Sequence, residues 1–188
     1  MKRERIFLIG PGGVGKTTVG RLLAPHLGYG LLDLDEEFCS RVRPIRNFLD
    51  AHGYAAYVRR NAELFHELLA LYGPASGTLF VLSSGFLATD VEPEVIAHNR
   101  AMVRAAGVSV LLMPSPDFGV SLEVVLARQM GRGLNLEPET QARTFRDRFE
   151  AYMQLGNVQV FSAVASEEVA RLIAQELDHH MTRQLRIG

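Results

Sequence analysis

A glycine-rich loop near the start of the chain carries a lysine and threonines in an order that suits phosphate binding. Residues Gly10 to Thr17 complete the pattern G-x-x-x-x-G-K-[ST]. In such a loop the backbone N–H groups point inward at an anion, Lys16 reaches the outer phosphates, and the Thr17 hydroxyl is available to Mg²⁺. The residues predicted to bind a nucleoside triphosphate share this loop: Gly10, Gly12, Gly13, Val14, Gly15, Lys16, Thr17 and Thr18.

The flanks of this loop separate phosphate binding from the alternative of a glycine-rich turn that arose by chance. The apolar run from Ile6 to Ile9 has the character of a buried strand. After the loop, apolar side chains recur at helical spacing at Val19, Leu22, Leu23 and Leu27. A phosphate-binding loop requires a strand before it and a helix after it, so both flanks favour phosphate binding.

Two carboxylates, Asp33 and Asp35, follow the second apolar run. Ligands of open α/β sheets bind at the carboxyl ends of strands, so we expect both acids to lie beside the phosphates. The first is suited to hold the water shell of Mg²⁺, and the second to accept a proton or hydrogen bond from a substrate hydroxyl. The alternative is that Asp35 caps a helix that opens at Glu36.

Continuous apolar runs alternate with helical patterns along the chain. The predicted strands are 5–9, 30–33, 78–82, 108–113 and 158–161. The predicted helices are 15–27, 53–72, 93–106, 118–130, 139–154 and 165–184. Continuous apolar runs are typical of parallel strands covered on both faces, so we predict an α/β fold with helices around a five-stranded parallel sheet. Residues 131–138 contain two glycines and a proline and are predicted to form a flexible loop over the site.

Length, charge and cysteine content restrict the classes of function. A chain of 188 residues fits one domain, 1–188, with a sizeable core. The formal net charge of −1 provides no overall electrostatic attraction to nucleic acid or to an acidic membrane. No apolar run approaches the roughly 20 residues that span a bilayer. A single cysteine, Cys39, excludes an internal disulfide, and we expect a cytoplasmic protein without nucleic-acid or membrane partners.

Three segments of the chain resemble the shikimate kinase family. They are Gly15 to Ala24, Leu32 to Glu37 and Ile45 to Tyr57, and the similarity extends from about residue 5 to about residue 162. The resemblance implies a P-loop kinase fold, a three-layer sandwich around a sheet of strand order 2-3-1-4-5. It also implies ATP and Mg²⁺ as cofactors.

The same resemblance implies roles for the residues of the acceptor side. Asp33 belongs to the magnesium shell, and Asp35 holds the substrate hydroxyls near the transferred phosphoryl group. The substrate-binding helical segment covers about 36–72, and the lid covers about 129–138.

The chain departs from the family at two places on the acceptor side. The arginine that usually follows the aromatic residue is replaced by Val58, and Arg59 comes one position later. One step along a helix turns a side chain by about 100°, so Arg59 is a candidate substrate ligand and a solvated surface arginine is the alternative. The family's triple-glycine turn reads Leu82 to Phe86 and keeps only Gly85, a candidate substrate contact. Phe86 is bulky and is expected to reshape the pocket.

Three arginines in the second half of the chain resemble family elements. Arg128 resembles the arginine that contacts adenine, and Arg132 resembles the catalytic arginine of the lid, for which an exposed loop arginine is the alternative. A cationic lid neutralises charge on the phosphoryl group and excludes water. Arg148 resembles the arginine that grips the substrate carboxylate. Its alternative is a solvated basic helix face shared with Arg143 and Arg146.

We therefore predict an ATP-dependent phosphotransferase that acts on a hydroxyl of a small carboxylate-bearing metabolite, with shikimate as the named acceptor. The predicted catalytic residues are Lys16, Asp35 and Arg132, because phosphoryl transfer requires mainly positioning and charge neutralisation. The alternatives are a kinase for a different small alcohol or nucleotide, and a non-catalytic module that senses a ligand. The predicted partner is a small molecule, and the chain is predicted to be a monomer or weak homodimer.

Overall fold

Strands and helices alternate along the chain in a computed structural model that describes residues 4–73, 77–131 and 136–187, with side chains described as far as residue 183. The strands are β1 Arg5–Ile9, β2 Gly30–Asp33, β3 Thr78–Val81, β4 Gly107–Met113 and β5 Val158–Phe161. The helices are α1 Lys16–Leu27, α2 Leu34–Arg41, α3 Ile45–Leu71, α4 Pro93–Ala106, α5 Phe118–Met130, α6 Pro138–Met153 and α7 Ser166–Ile187.

All five strands pair in parallel, in the order β2-β3-β1-β4-β5. This confirms the predicted five-stranded parallel sheet and its strand order. In the register between the first two neighbours, Asp33 at the end of β2 pairs with Val81 at the end of β3. Residues that follow these two strands therefore emerge side by side at the carboxyl edge, where the loop after β1 also begins.

Two hydrophobic clusters cover the two faces of the sheet. On one face β1 and β3 pack against α1 and α7 through side chains such as Leu23 and Ile173, both fully buried. On the other face Phe7 and Phe80 stack on each other and meet Phe65 of α3. Burial on both sides explains why the strands have continuous apolar sequences, as predicted for a three-layer sandwich.

Two features of the helical segment that was predicted to bind substrate differ from the predicted elements. Helix α2 begins at Leu34, directly after β2, because the Asp33 carboxylate accepts hydrogen bonds from the N–H groups of Asp35 and Glu36. Helix α3 begins eight residues earlier than the predicted start at 53. It contains a break at Gly53, where φ is 77° and ψ is 171°, so a short helix precedes the predicted one.

In the part of the chain that the structure describes, no helix combines the length and hydropathy needed to cross a membrane. The predicted lid falls largely between α5 and α6. Its central residues 132–135, including Arg132, lie outside the described residues.

Candidate active site

The loop between β1 and α1 places a lysine ammonium at the amino end of a helix. Gly15 adopts a left-handed conformation, with φ of 101°, and is the residue from which α1 starts. Lys16 is buried, and its Nζ donates to the carbonyls of Gly10 at 2.8 Å and Pro11 at 3.0 Å. A folded-over lysine and the N–H groups of the first turn of α1 together form a cationic cradle, which fits the phosphates of a nucleotide.

Thr17 and Asp33 form the second part of the site, where α1 meets the end of β2. The Thr17 hydroxyl donates to Oδ2 of Asp33 at 2.6 Å, while Oδ1 accepts from the N–H groups that open α2. Asp33, and not Asp35, is thus the cap of this helix, so the alternative of a capping Asp35 is wrong.

Hydroxyl and carboxylate oxygens at this position fit Mg²⁺, which prefers hard oxygen ligands and keeps several waters. Within the described ranges, no group of three or more His, Cys, Asp or Glu side chains suits a metal ion. A magnesium site beside Thr17 and Asp33 would therefore draw its other ligands from phosphates and water, as is usual for nucleotide-bound Mg²⁺.

Asp35 is exposed, but one of its carboxylate oxygens is held by two hydroxyl groups. Oδ1 accepts from Ser83 Oγ at 2.5 Å and from Tyr57 Oη at 3.3 Å. Behind them, Asn61 Nδ2 donates to Ser83 Oγ at 3.0 Å. Burial and the neighbouring negative charge of Asp35 raise the pKa of Tyr57, so the phenol remains a donor at neutral pH.

Arg148 of α6 lies beside Tyr54 of α3 and Gly85 in the segment after β3. Its Nη2 donates to the Tyr54 hydroxyl at 2.9 Å, and its Nη1 lies 3.2 Å from the point where a Cβ on Gly85 would stand. One helical turn later, the buried Tyr152 hydroxyl donates to the carbonyl of Ser84. Arg143 and Arg146 are exposed on the same helix, whereas Arg148 is half-buried, so it is not part of a solvated basic face.

A cleft joins the phosphate loop to this arginine. Gly12 and Arg148 both line this cleft, together with Ser84 and Tyr152. Arg128 of α5 lies at the other flank of the loop, where it donates to the carbonyls of Val14 at 3.1 Å and Ala163 at 2.9 Å. The structure therefore brings most of the predicted donor and acceptor residues to one edge of the sheet.

Arg59 lies apart from this group. Its guanidinium pairs with the carboxylate of Glu92 and is about half exposed, in a groove that His66 and His98 also line. Phe86 likewise turns away from the cleft, because its buried ring packs edge-on against Phe65 with centroids 4.8 Å apart. Phe86 therefore does not line this cleft, and the expectation that its side chain reshapes the pocket is not confirmed there.

Three residues that contact the predicted site residues were not assigned from the sequence: Tyr54, Tyr57 and Ser83. Asn61, which was not assigned either, contacts Tyr57 and Ser83. A signal for Ser83 exists, because it lies two residues beyond Val81 just as Asp35 lies two residues beyond Asp33, and those two strand ends are in register. Polar residues at equal distances past neighbouring parallel strands are expected to meet.

Comparisons with known proteins agree with this geometry. The model of the family described as shikimate kinase matches residues 12–178. A shikimate kinase of Thiobacillus denitrificans is 36% identical over 117 residues, which cover 62% of this chain and 58% of that protein. A shikimate kinase of Geobacter sulfurreducens is 33% identical over 156 residues, 79% of this chain and 77% of that protein.

Among solved structures, the shikimate kinase of Acinetobacter baumannii in complex with shikimate superposes with a TM-score of 0.75. It is 26% identical, and the match covers 92% of this chain and 91% of that chain. The similarity therefore extends over most of the chain.

Proposed function

This chain belongs to the shikimate kinase family, and we propose that it transfers the γ-phosphoryl group of ATP to a hydroxyl of shikimate. The observation that carries this proposal is the cleft that Gly12 of the phosphate loop and Arg148 line together. Phosphate-loop residues and a guanidinium that line the same cleft suit an acceptor that carries both a hydroxyl and a carboxylate.

On the donor side, the loop amides and Lys16 hold the β- and γ-phosphates, and Arg128 lies where the nucleoside is expected. Thr17 and Asp33 are the residues that would hold Mg²⁺ or its water shell. The ion supplies charge neutralisation between the β- and γ-phosphates when it is bound. Arg132, from the proposed lid at about 129–138, would add a further positive charge over the phosphoryl group.

On the acceptor side, Arg148 pairs with the substrate carboxylate and Asp35 orients the attacking hydroxyl. A bond forms between that hydroxyl oxygen and the γ-phosphorus, and the bond from the γ-phosphorus to the β,γ-bridging oxygen breaks. Its electron pair leaves on ADP, and the hydroxyl proton passes to the Asp35 carboxylate. Gly85, which has no side chain to displace the Tyr54 hydroxyl or Arg148, would border the acceptor, and the segment of about 36–72 would form the wall of the pocket.

A coupled assay of ADP release with shikimate as acceptor tests this function. We expect turnover that requires both substrates, and loss of at least about a hundredfold in kcat for Lys16→Ala and Asp35→Asn. ATP binding without turnover of shikimate would contradict the proposal. Full activity of Asp35→Asn would contradict the role of that residue alone.

A second candidate, a kinase for another small hydroxy acid, is favoured by one observation. Val58 stands where the family usually has arginine, and the guanidinium of Arg148 already donates a hydrogen bond to the Tyr54 hydroxyl. A screen of small hydroxy acids and nucleotides for stimulated ATP consumption separates the two candidates. Binding of an acid without any ATP consumption would instead indicate a module that senses the ligand.

A further inference from the structure

The hydroxyl of Ser83 directly contacts the residue that we propose to orient the acceptor. Ser83 follows β3, is 6% exposed, and donates to Oδ1 of Asp35 at 2.5 Å. The two residues are 48 positions apart in sequence and are brought together by the pairing of β2 with β3. A hydrogen bond to a carboxylate is about twice as strong as one between neutral groups, so this contact restrains the rotation of the Asp35 side chain.

Tyr57 supplies a second donor to the same oxygen. Its hydroxyl lies 3.3 Å from Asp35 Oδ1, and its ring is fixed by Phe38, with centroids 5.0 Å apart, and is 8% exposed. The phenol approaches from α3 and the serine from the end of β3, so the two donors restrain the carboxylate from different elements. Neither of these hydrogen bonds uses Oδ2.

Asn61 sets the direction in which these hydroxyl groups donate. It is 2% exposed, and its Nδ2 donates to Ser83 Oγ at 3.0 Å and to Tyr57 Oη at 3.4 Å. Each hydroxyl oxygen accepts a hydrogen bond from the amide, and its own O–H is left to donate to Asp35, with Ser83 Oγ at 3.5 Å as a longer second acceptor for Tyr57. In the reversed orientation the amide oxygen would compete with Asp35 for both hydroxyl protons.

The carbonyl oxygen of the Asn61 amide, Oδ1, makes no comparable contact in the part of the chain that the structure describes. Among the described residues, Asn61 Oδ1 is buried without a hydrogen-bond partner. A carboxylate can only accept, so both hydroxyl groups donate to Asp35, and their oxygens can in turn accept from the N–H groups of Nδ2. The network is therefore directional, from Asn61 through the two hydroxyl groups to Asp35.

We propose that Ser83, Tyr57 and Asn61 are positioning residues for phosphoryl transfer. They fix Oδ1 of Asp35 so that Oδ2 is presented to the acceptor hydroxyl. The inference rests on the proposed function for its catalytic consequence, whereas the arrangement itself is a property of the folded chain. Misplacement of a reacting group by about 1 Å costs up to about a hundredfold in rate, so the network is expected to act on kcat.

Steady-state kinetics of Ser83→Ala and Tyr57→Phe test the consequence. Each variant is expected to lower kcat with shikimate about five- to twentyfold and to leave KM for ATP within about twofold of the wild type. Ser83→Thr keeps the hydroxyl and is expected to recover most of the rate. Wild-type kcat in both Ser83→Ala and Tyr57→Phe would overturn the proposal.

Ser109→Ala is the matched control for the loss of a buried serine hydroxyl. Ser109 is 5% exposed at the start of β4 and donates to Asn157 Oδ1 at 2.8 Å, at the edge of the sheet opposite the site. It is expected to lose stability without a change in kcat. If kcat fell equally in Ser109→Ala and Ser83→Ala, the loss of rate would be explained by general destabilisation, and the positioning role of Ser83 would be overturned.

Crystal structures of the wild type and Ser83→Ala test the arrangement without any turnover. We expect one Asp35 rotamer in the wild type, with Oδ1 on Ser83, and a rotated or multiple carboxylate in the variant. An unchanged carboxylate in Ser83→Ala would overturn the proposal. Failure of the wild type to phosphorylate shikimate would contradict the proposed function, and the crystallographic result would still decide the positioning of Asp35.

Discussion

The Tyr54 hydroxyl accepts a hydrogen bond from Nη2 of Arg148 at 2.9 Å, so the guanidinium proposed to bind the substrate carboxylate already has a partner within the protein. The guanidinium carbon also lies 5.7 Å from the centroid of the tyrosine ring. A carboxylate forms stronger, charge-assisted hydrogen bonds with arginine than a neutral phenol does. An acidic acceptor can therefore displace the hydroxyl, at the cost of the hydrogen bond that is lost.

Removal of this hydroxyl is expected to strengthen acceptor binding. Tyr54→Phe retains the ring over Arg148 and deletes the competing oxygen. A hydrogen bond to a charged group is worth about 1.5 to 3 kcal/mol net, so KM for shikimate is expected to fall about tenfold or more. Steady-state kinetics at saturating ATP measure this, with KM for ATP as the internal control. A rise in KM for shikimate would mean that Tyr54 holds Arg148 in its binding orientation instead.

The absence of a side chain at Gly85 is required for the present positions of Tyr54 and Arg148 beside the proposed acceptor site. A Cβ at this position would overlap the Tyr54 hydroxyl and approach Arg148 Nη1 to 3.2 Å. Gly85→Ala is therefore expected to raise KM for shikimate about tenfold or more, because the added methyl group narrows the site beside Arg148. The double variant Gly85→Ala with Tyr54→Ala no longer has the overlap with the Tyr54 hydroxyl and is expected to recover part of the lost affinity for shikimate.

The control for this substitution is Gly30→Ala. Gly30 opens β2, and a Cβ there meets nothing within 4 Å among the described residues. Its kinetics are expected to equal those of the wild type. Unchanged KM in Gly85→Ala, measured beside this control, would show that Gly85 does not border the acceptor.

The sequence predicts those parts of the site that are local in the chain. The phosphate loop is recognisable because its glycines, Lys16 and Thr17 lie within eight positions of one another. The five strands are recognisable because continuous apolar runs require burial on both faces. The sequence indicates helix α2 only in part, as a helix that opens at Glu36 rather than at Leu34, because its first turn depends on the side chain of Asp33 at a strand end and its sequence is acidic rather than periodic.

Contacts between distant elements could be predicted only in part. Asp35 and Ser83 meet because β2 and β3 are adjacent and in register, which the strand order and equal spacing would have indicated. The ion pair between Arg59 and Glu92 follows from no such rule, because Glu92 lies between β3 and α4, outside the register of the sheet. The orientation of the arginines therefore required the three-dimensional structure.

Buried tyrosines are expected to limit stability at high pH. Burial raises the pKa of Tyr57 and of Tyr152, and for Tyr57 the charge of Asp35 adds to the effect. In the unfolded chain both ionise near pH 10. The unfolded state then binds fewer protons than the folded state, so the free energy of unfolding is constant with respect to these groups below about pH 10 and falls as the pH rises further.

Spectrophotometric titration of tyrosinate measures this effect. At least two of the five tyrosines are expected to remain protonated in the native protein at pH 11 and to ionise when it unfolds. In Tyr57→Phe, the free energy of unfolding is expected to fall less steeply above pH 10, because unfolding then releases one proton fewer. Complete ionisation of all tyrosines in the native state at pH 11 would contradict the burial of both groups.

Asp33 has two structural roles that substitution can separate. Its Oδ1 caps α2 and its Oδ2 accepts from Thr17. Asn is as good a helix cap as Asp, so Asp33→Asn is expected to unfold close to the wild-type temperature. It loses the negative charge beside Thr17, so the Mg²⁺ concentration that gives half-maximal activity is expected to rise at least about tenfold.

Asp33→Ala loses both roles and is expected to be less stable by about 1 kcal/mol as well. Asp117→Ala supplies the control, because Asp117 caps α5 through the N–H of Val120 at 2.9 Å and is not part of the proposed site. It is expected to lose a similar amount of stability and to keep the wild-type dependence on Mg²⁺. If Asp33→Asn and Asp117→Ala responded alike to Mg²⁺, Asp33 would serve only as the cap of α2, and the metal role would have to be reassigned.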